Sequence, residues 1–264
     1  TKTFVEYDKS GAEEKRNSVE ADFLVYQSSK NNKLAFELRN VKNVDGKPVP
    51  NSQENTDSFF AELNKTSTLR SELEKLQKTS SKYDKTLDVS GLTLYEGIVF
   101  SENLRPFFDF QLQGKENFQG RDVYIISYQQ TKESPFISIN GKGTDINNPG
   151  LEFQVDLPGG VRKNEFLLRG KFWLDAENFQ IWREERELAA RIDETLVPLR
   201  MEFTYQLSNF GILVPKQINL ITNQIRKKDG KYTAAKDFSV VFDYTNFRKT
   251  ETDVKILDDT DSQN

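Results

Sequence analysis

Between residues 170 and 188 the chain alternates. Phe172 and Leu174 occupy every second position, with Lys171, Trp173 and Asp175 between them, the period of two of a strand. Asp175-Ala176-Glu177-Asn178 interrupts the run with turn residues, and the pattern resumes over 179–182, which predicts a β-hairpin. Asn178 tolerates a left-handed backbone, and Asp175 can accept a hydrogen bond from the backbone two residues on. The hairpin brings no chemistry of its own.

The same period of two recurs through most of the chain. Residues 3–7, 21–27 and 34–38 read as three strands, separated by Asp8-Lys9-Ser10-Gly11 and followed by Val44-Asp45-Gly46-Lys47, with Pro48 and Pro50 ending an antiparallel meander. Phe108, Phe110 and Leu112 alternate with Asp109 and Gln111; 123–128 is a further strand and 136–139 a short one. Residues 140–164 are rich in Gly, Pro and Asn and read as a long loop, in which Phe153 and Val155 allow a brief strand. Residues 189–194 read as a loop or one helical turn. Leu199, Met201, Phe203, Tyr205 and Leu207 then alternate with Arg200, Glu202, Thr204 and Gln206, the cleanest amphipathic strand in the chain. Residues 212–226 and 231–248 form two long strands joined at Lys228-Asp229-Gly230, and Phe238, Val240, Phe242 and Tyr244 share one face of the second.

One interval departs from this period. Asn51 and Glu54 have the spacing of a capping box, Phe59, Phe60 and Leu63 follow at helical spacing, and Leu69, Leu73, Leu76 and Tyr83 continue the stripe. Helix is predicted for most of 52–84, and a shorter helix around Leu92, Tyr95, Ile98 and Val99. The fold class expected is mainly β (α+β) in a single domain over 1–257. Residues 1–50 add an N-terminal meander, 52–102 a helical lid, and 258–264 a disordered acidic tail.

Composition narrows the chemistry. The 264 residues carry Lys+Arg 37 against Asp+Glu 41, a net charge of −4, so no global field favours nucleic acid. Hydrophobic residues make up 36% and charged residues 30%, a balance that suits sheets with one wet face. Twenty Phe supply the core. Cys and His are both absent, which removes disulfides, thiolate nucleophiles, Ser-His-Asp catalysis and the commonest transition-metal ligands. The expectation is therefore a protein without enzymatic activity, cofactor or metal. No apolar run reaches the roughly 18 residues of a membrane span. Thr1 in place of Met fits a mature or trimmed chain and leaves a removed leader open.

Several stretches invite sharper readings. Arg183-Glu184-Glu185-Arg186-Glu187, near Asp175 and Glu177, contains enough carboxylates for a glycosidase pair, but a solvated strand with cross-strand ion pairs explains it more simply. Gly141-Lys142-Gly143-Thr144 lacks the spacing of a phosphate loop and reads as a turn. Asn64-Lys65-Thr66 is a glycosylation triplet of the kind that arises by chance, and Arg226-Lys227-Lys228 is an exposed turn flank. Asp258–Asp261 lacks the glycine and distal Glu of a calcium loop.

Trp173-Leu174-Asp175, Ile181-Trp182-Arg183, Phe210-Gly211-Ile212-Leu213-Val214-Pro215 and Asn246-Phe247-Arg248-Lys249 give the C-terminal part a resemblance to the lipoprotein-localisation-factor superfamily of LolA and LolB. The resemblance is closest to bacterial outer-membrane lipoprotein-sorting-like proteins. It is best over 165–256, and a helix at 68–84 followed by a short one fits that group's order of elements. It implies a strongly curved antiparallel sheet forming an unclosed half-barrel, with helices covering its concave face. It further implies a periplasmic or secreted location and a lipid or lipoprotein acyl chain as partner, other envelope proteins being possible. No gating residue of that family has a counterpart here.

The candidate site is then the apolar lining between sheet and helices. Its expected members are Phe59, Leu73, Leu76, Phe108, Phe110, Phe172, Leu174, Met201, Phe203, Tyr205 and Phe242. A cavity of this kind needs shape and apolar walls rather than a catalytic group. The alternative is a filled core in a structural or protein-interaction domain.

Overall fold

The computed structural model describes residues 1–27, 35–52, 54, 98–139, 151–153, 155, 166–191 and 193–248. The chain folds into two compact units, 1–19 with 91–245, and 20–90 with 246–264.

The first unit is an antiparallel sheet. Its strands are β1 (Lys2–Tyr7), the start of β2 (Glu13–Gln27), β5 (Phe108–Phe118), β6 (Arg121–Gln130), β9 (Phe166–Asp175), β10 (Ile181–Ala190), β11 (Leu199–Leu207), β12 (Leu213–Lys228) and β13 (Lys231–Asp243). Their hydrogen-bonded order is β2-β1-β13-β12-β11-β10-β9-β6-β5, and the sheet does not close into a barrel. Two short strands, β7 (Ile137–Ile139) and β8 (Leu151–Phe153), pair in parallel beside it. In the second unit β2 is followed by β3 (Ala35–Val44) and β4 (Lys47–Pro48), in the order β4-β3-β2.

Local chemistry sets the turns. Asp8 Oδ1 accepts hydrogen bonds from the N–H groups of Ser10 (2.8 Å) and Ala12 (2.9 Å), closing β1 onto β2. Asp45-Gly46 and Asp229-Gly230 take positive φ at both central positions, 49° and 75°, then 51° and 79°. That is the geometry that matches the twist of the flanking strands. In the hairpin at 170–188, Asp175 Oδ1 accepts from the N–H of Glu177 at 2.9 Å and of Asn178 at 3.3 Å, as its position suggests. The left-handed residue is Phe179 (φ 59°), not Asn178. Asn178 instead uses its side chain, Oδ1 accepting from the Gln180 N–H at 3.0 Å, which leaves the reversal to its neighbour.

Strand lengths differ from the sequence reading. β2 starts at Glu13 and β3 reaches Val44, both longer than expected, because cross-strand pairing carries charged stretches with weak strand preference. β10 continues through Ala189 and Ala190, where a loop or helical turn was expected; both alanines are buried and pair with Leu167 and Phe166. β13 stops at Asp243, five residues short of Arg248. β11 spans Leu199–Leu207 as its alternation predicts.

The helices expected over 52–84 lie outside the described residues apart from Ser52 and Glu54, both helical. Asn51 has φ 59°, a turn conformation rather than the extended one of a capping residue. What is described of the 52–102 segment ends in a 3-10 turn, Ile98–Phe100, where the shorter helix was expected, and Arg105–Phe107 forms a second such turn. Among the described residues no α-helix covers the sheet. The acidic tail also lies outside them.

Candidate functional site: an apolar sheet face built over a buried ion pair

Directly opposed residues of an antiparallel sheet point to the same side, so the register assigns faces. Glu184 opposes Phe172 and Phe203; Phe172 opposes Ile126; Phe203 opposes Ile218, which opposes Phe242. Tyr128 opposes both Gly170 and Phe110, and Phe108 follows by alternation. Leu174, Met201 and Tyr205 share these parities along β9 and β11. Phe108, Phe110, Phe172, Leu174, Met201, Phe203, Tyr205 and Phe242 therefore lie on one face of the sheet. Phe59, Leu73 and Leu76 are outside the described residues.

Most of these side chains are deeply buried, Phe172 and Phe203 completely (0% exposed) and Tyr205 to 2%. Phe100, delivered by its 3-10 turn, lies 4.5 Å from Phe172 and 5.2 Å from Phe110 between ring centroids. Tyr128 stacks on Phe172 at 4.9 Å and meets Phe108 edge-on at 5.8 Å. Offset and edge-on contacts of this kind add about 0.5–1.5 kcal/mol per pair beyond area burial.

A charged pair sits at the centre of this face. Glu184 and Arg186 are 0% and 2% exposed. Glu184 Oε1 accepts from Arg186 Nε at 2.8 Å, pairs with Arg186 Nη2 at 2.7 Å, and accepts the Tyr128 hydroxyl at 3.0 Å. Arg186 also lies over the Phe203 ring, 5.1 Å from its centroid. Burial acts against the guanidinium charge, but the adjacent carboxylate overcomes it and holds Arg186 above its ordinary value. Burial, reinforced by Glu184, pushes the Tyr128 hydroxyl well above its ordinary value, so it stays a neutral donor. Gly170 makes the arrangement possible. A Cβ there would collide with the Tyr128 hydroxyl and the Glu185 carbonyl oxygen.

This corrects the reading of 183–187 as a solvated strand. Half of it is solvated, and Glu184 and Arg186 are core. The signal was present in the parity: both share the even register of Leu188 and Ala190, which are buried. Arg183, Glu185 and Glu187 face the other side and form the expected ion pairs. Arg183 Nη2 lies 2.8 Å from Glu202, and Glu187 lies between Arg169 (3.1 Å) and Arg200 (2.6 Å). Trp173 is on that side, its Nε1 donating to Glu116 at 2.6 Å with Arg183 over its ring. Each of these carboxylates is held by a cation or donor, and Glu185 and Glu202, directly opposed across β10 and β11, share Arg183. Among the described residues no group of three or more acidic side chains is placed to hold a metal. No helix there is long and apolar enough to cross a membrane.

No protein-family model and no curated protein matches the chain. Among solved structures it is similar to a DUF1329 family protein from Desulfovibrio piger, at 12% identity and a TM-score of 0.28, with 93% of this chain and 84% of that chain covered. A likeness at that score carries no argument about function, so the physical case rests on the sheet and its two faces.

Proposed function

We propose that this chain is a non-catalytic protein of the bacterial envelope that takes an acyl chain, free or on a lipid or lipidated protein, against the apolar face of its sheet. The one observation carrying the reading is that the expected lining residues on β5, β9, β11 and β13 fall on a single face, together with Phe100 and Tyr128. Burial of each methylene group there would contribute about 0.8 kcal/mol. On this reading the sheet curves into a half-barrel, and the chain works in the periplasm or outside the cell. Glu184 is committed to Arg186 and Tyr128, which fits a binding role.

A second reading is a structural or interaction domain whose core is filled. Complete burial of Phe172 and Phe203 favours it. Native mass spectrometry of the purified chain and titration with a fluorescent fatty acid separate the two. Co-purifying acyl lipid, or saturable uptake, is expected for the first. A clean apo mass in repeated preparations together with no uptake would overturn it and leave the second.

A further inference from the structure

Three hairpins of the first unit turn at the same end of the sheet. Val123 pairs with Asp175, Ile181 with Leu174, and Leu207 with Leu213, so the β5–β6, β9–β10 and β11–β12 turns are neighbours. Adjacent tips are two strand widths apart, about 10 Å. Two of the three tips, β9–β10 and β11–β12, expose large apolar side chains, while the β5–β6 tip is the polar Gln119-Gly120. Phe179 is 65% exposed, Ile212 57% and Leu207 50%. At the opposite end the turns are polar: Asp8-Lys9-Ser10-Gly11, Asp229-Gly230, and the exposed Asp193, Glu194 and Thr195.

Phe179 is the most telling of the three. It holds a φ of 59°, a conformation that costs a bulky side chain energy and that Asn or Gly adopts easily. Its ring lies parallel to that of Tyr124, within 12° at 6.3 Å. Neither the turn nor the core requires a phenylalanine there. A strained, exposed aromatic beside a second turn that exposes Leu207 and Ile212 points to something outside the molecule.

We propose that this end of the sheet contacts a lipid bilayer, with Phe179, Leu207 and Ile212 entering its interfacial region. The three exposed surfaces total on the order of 300 Å², taking about 200 Å² for each side chain. A stable protein partner needs about 800 Å² per side. Two neighbouring apolar tips suit shallow insertion instead. Charges at the tips balance, Lys115, Arg121 and Lys216 standing against Glu116, Asp122 and Glu177, and the chain carries a net −4. Attraction to anionic headgroups is therefore absent, and the contact is apolar, with zwitterionic bilayers as its target.

The test is flotation of the full chain with phosphatidylcholine vesicles, and with vesicles in which part of that lipid is replaced by phosphatidylglycerol. The wild type is expected to float with both, less than twofold differently and with little dependence on salt. The variant Phe179→Asn, Leu207→Ser, Ile212→Ser is expected to float about tenfold less or worse. Phe179→Asn alone should weaken flotation while holding or raising the melting temperature, since Asn relieves the strain. No flotation of the wild type, or equal flotation of the triple variant, overturns the proposal. So does a concentration-dependent dimer that the triple variant abolishes, which would make the tips a protein interface. Fatty-acid uptake measured on the same samples reports on the apolar face separately. Loss of flotation with uptake intact assigns the tips to the membrane, whatever becomes of the acyl-chain reading.

Discussion

Glu184 and Arg186 stand two residues apart on one strand and pair through Glu184 Oε1, beneath aromatic rings and out of reach of water. The desolvation of such a pair consumes most of its Coulomb attraction, so its presence contributes little net stability, whereas its disruption strands a charge. Arg186→Met alone is expected to cost about 3–5 kcal/mol. The double variant Glu184→Leu, Arg186→Met should be neutral or more stable than wild type. Urea titration checks both. A double variant no better than the single would mean that the apolar face cannot accommodate the exchange.

Tyr128 supplies the third hydrogen bond to the same oxygen. Tyr128→Phe keeps the ring stack on Phe172 and removes only the donor, at an expected cost of about 1–3 kcal/mol. In the Glu184→Leu, Arg186→Met background the hydroxyl keeps only its longer bond to the Glu185 carbonyl oxygen, at 3.4 Å, and the same change should cost less. A cycle showing equal costs in both backgrounds would place the effect of Tyr128 elsewhere.

The Asp175 carboxyl is held below its ordinary value by the N–H of Glu177, then that of Asn178, with Arg121 adding a pair at 3.3 Å. A carboxyl depressed on folding contributes stability that is present above its unfolded value of about 3.9 and is lost as pH falls through its folded value. Asp175→Asn keeps the turn acceptor but removes the charge. The stability gap between wild type and this variant is therefore expected to be constant from pH 7 to about pH 5 and to shrink below about pH 4. A gap that widens on acidification would reverse the assigned sign.

Phe203 and Glu202 test the two faces of β11. Phe203→Ala should cost about 3–5 kcal/mol as a large-to-small change in a fully buried position. Glu202→Phe, on the side where Glu202 only pairs with Arg183, should stay within about 1 kcal/mol. Thermal melts of both variants decide it; comparable losses would mean that the face assignment is wrong. Phe203→Glu is a poorer probe than the alternation alone suggests, because Arg186 lies over that ring and would offer the new carboxylate a partner.

Strand existence and face were legible wherever one side of the sheet is apolar. Leu199–Leu207 emerges with the bounds its alternation sets, and the aromatic members of β5, β9 and β13 fall together for the same reason. Three kinds of information were not local. Ala189 and Ala190 have no strand preference of their own and are strand because β9 pairs with them. Glu184 and Arg186 read as surface residues until parity is set above charge. Phe100 carries no periodic signal that would bring it from a short 3-10 turn onto Phe172. The left-handed position in the β9–β10 turn moved by one residue because two side-chain hydrogen bonds competed for it, a contest that residue preference does not resolve.

Gly170 also constrains ancestry. Tyr128 occupies space that any side chain at 170 would claim, and its hydroxyl in turn completes the hydrogen bonding of Glu184. Positions 128, 170 and 184, on three neighbouring strands, therefore form one heritable unit. A relative that carries a side chain at 170 must both shift the β10 backbone at 185 and carry something shorter than tyrosine at 128, and must then satisfy or discard the acid at 184. Across divergent chains these three positions should change together or not at all, a signature that reaches further back than overall identity does.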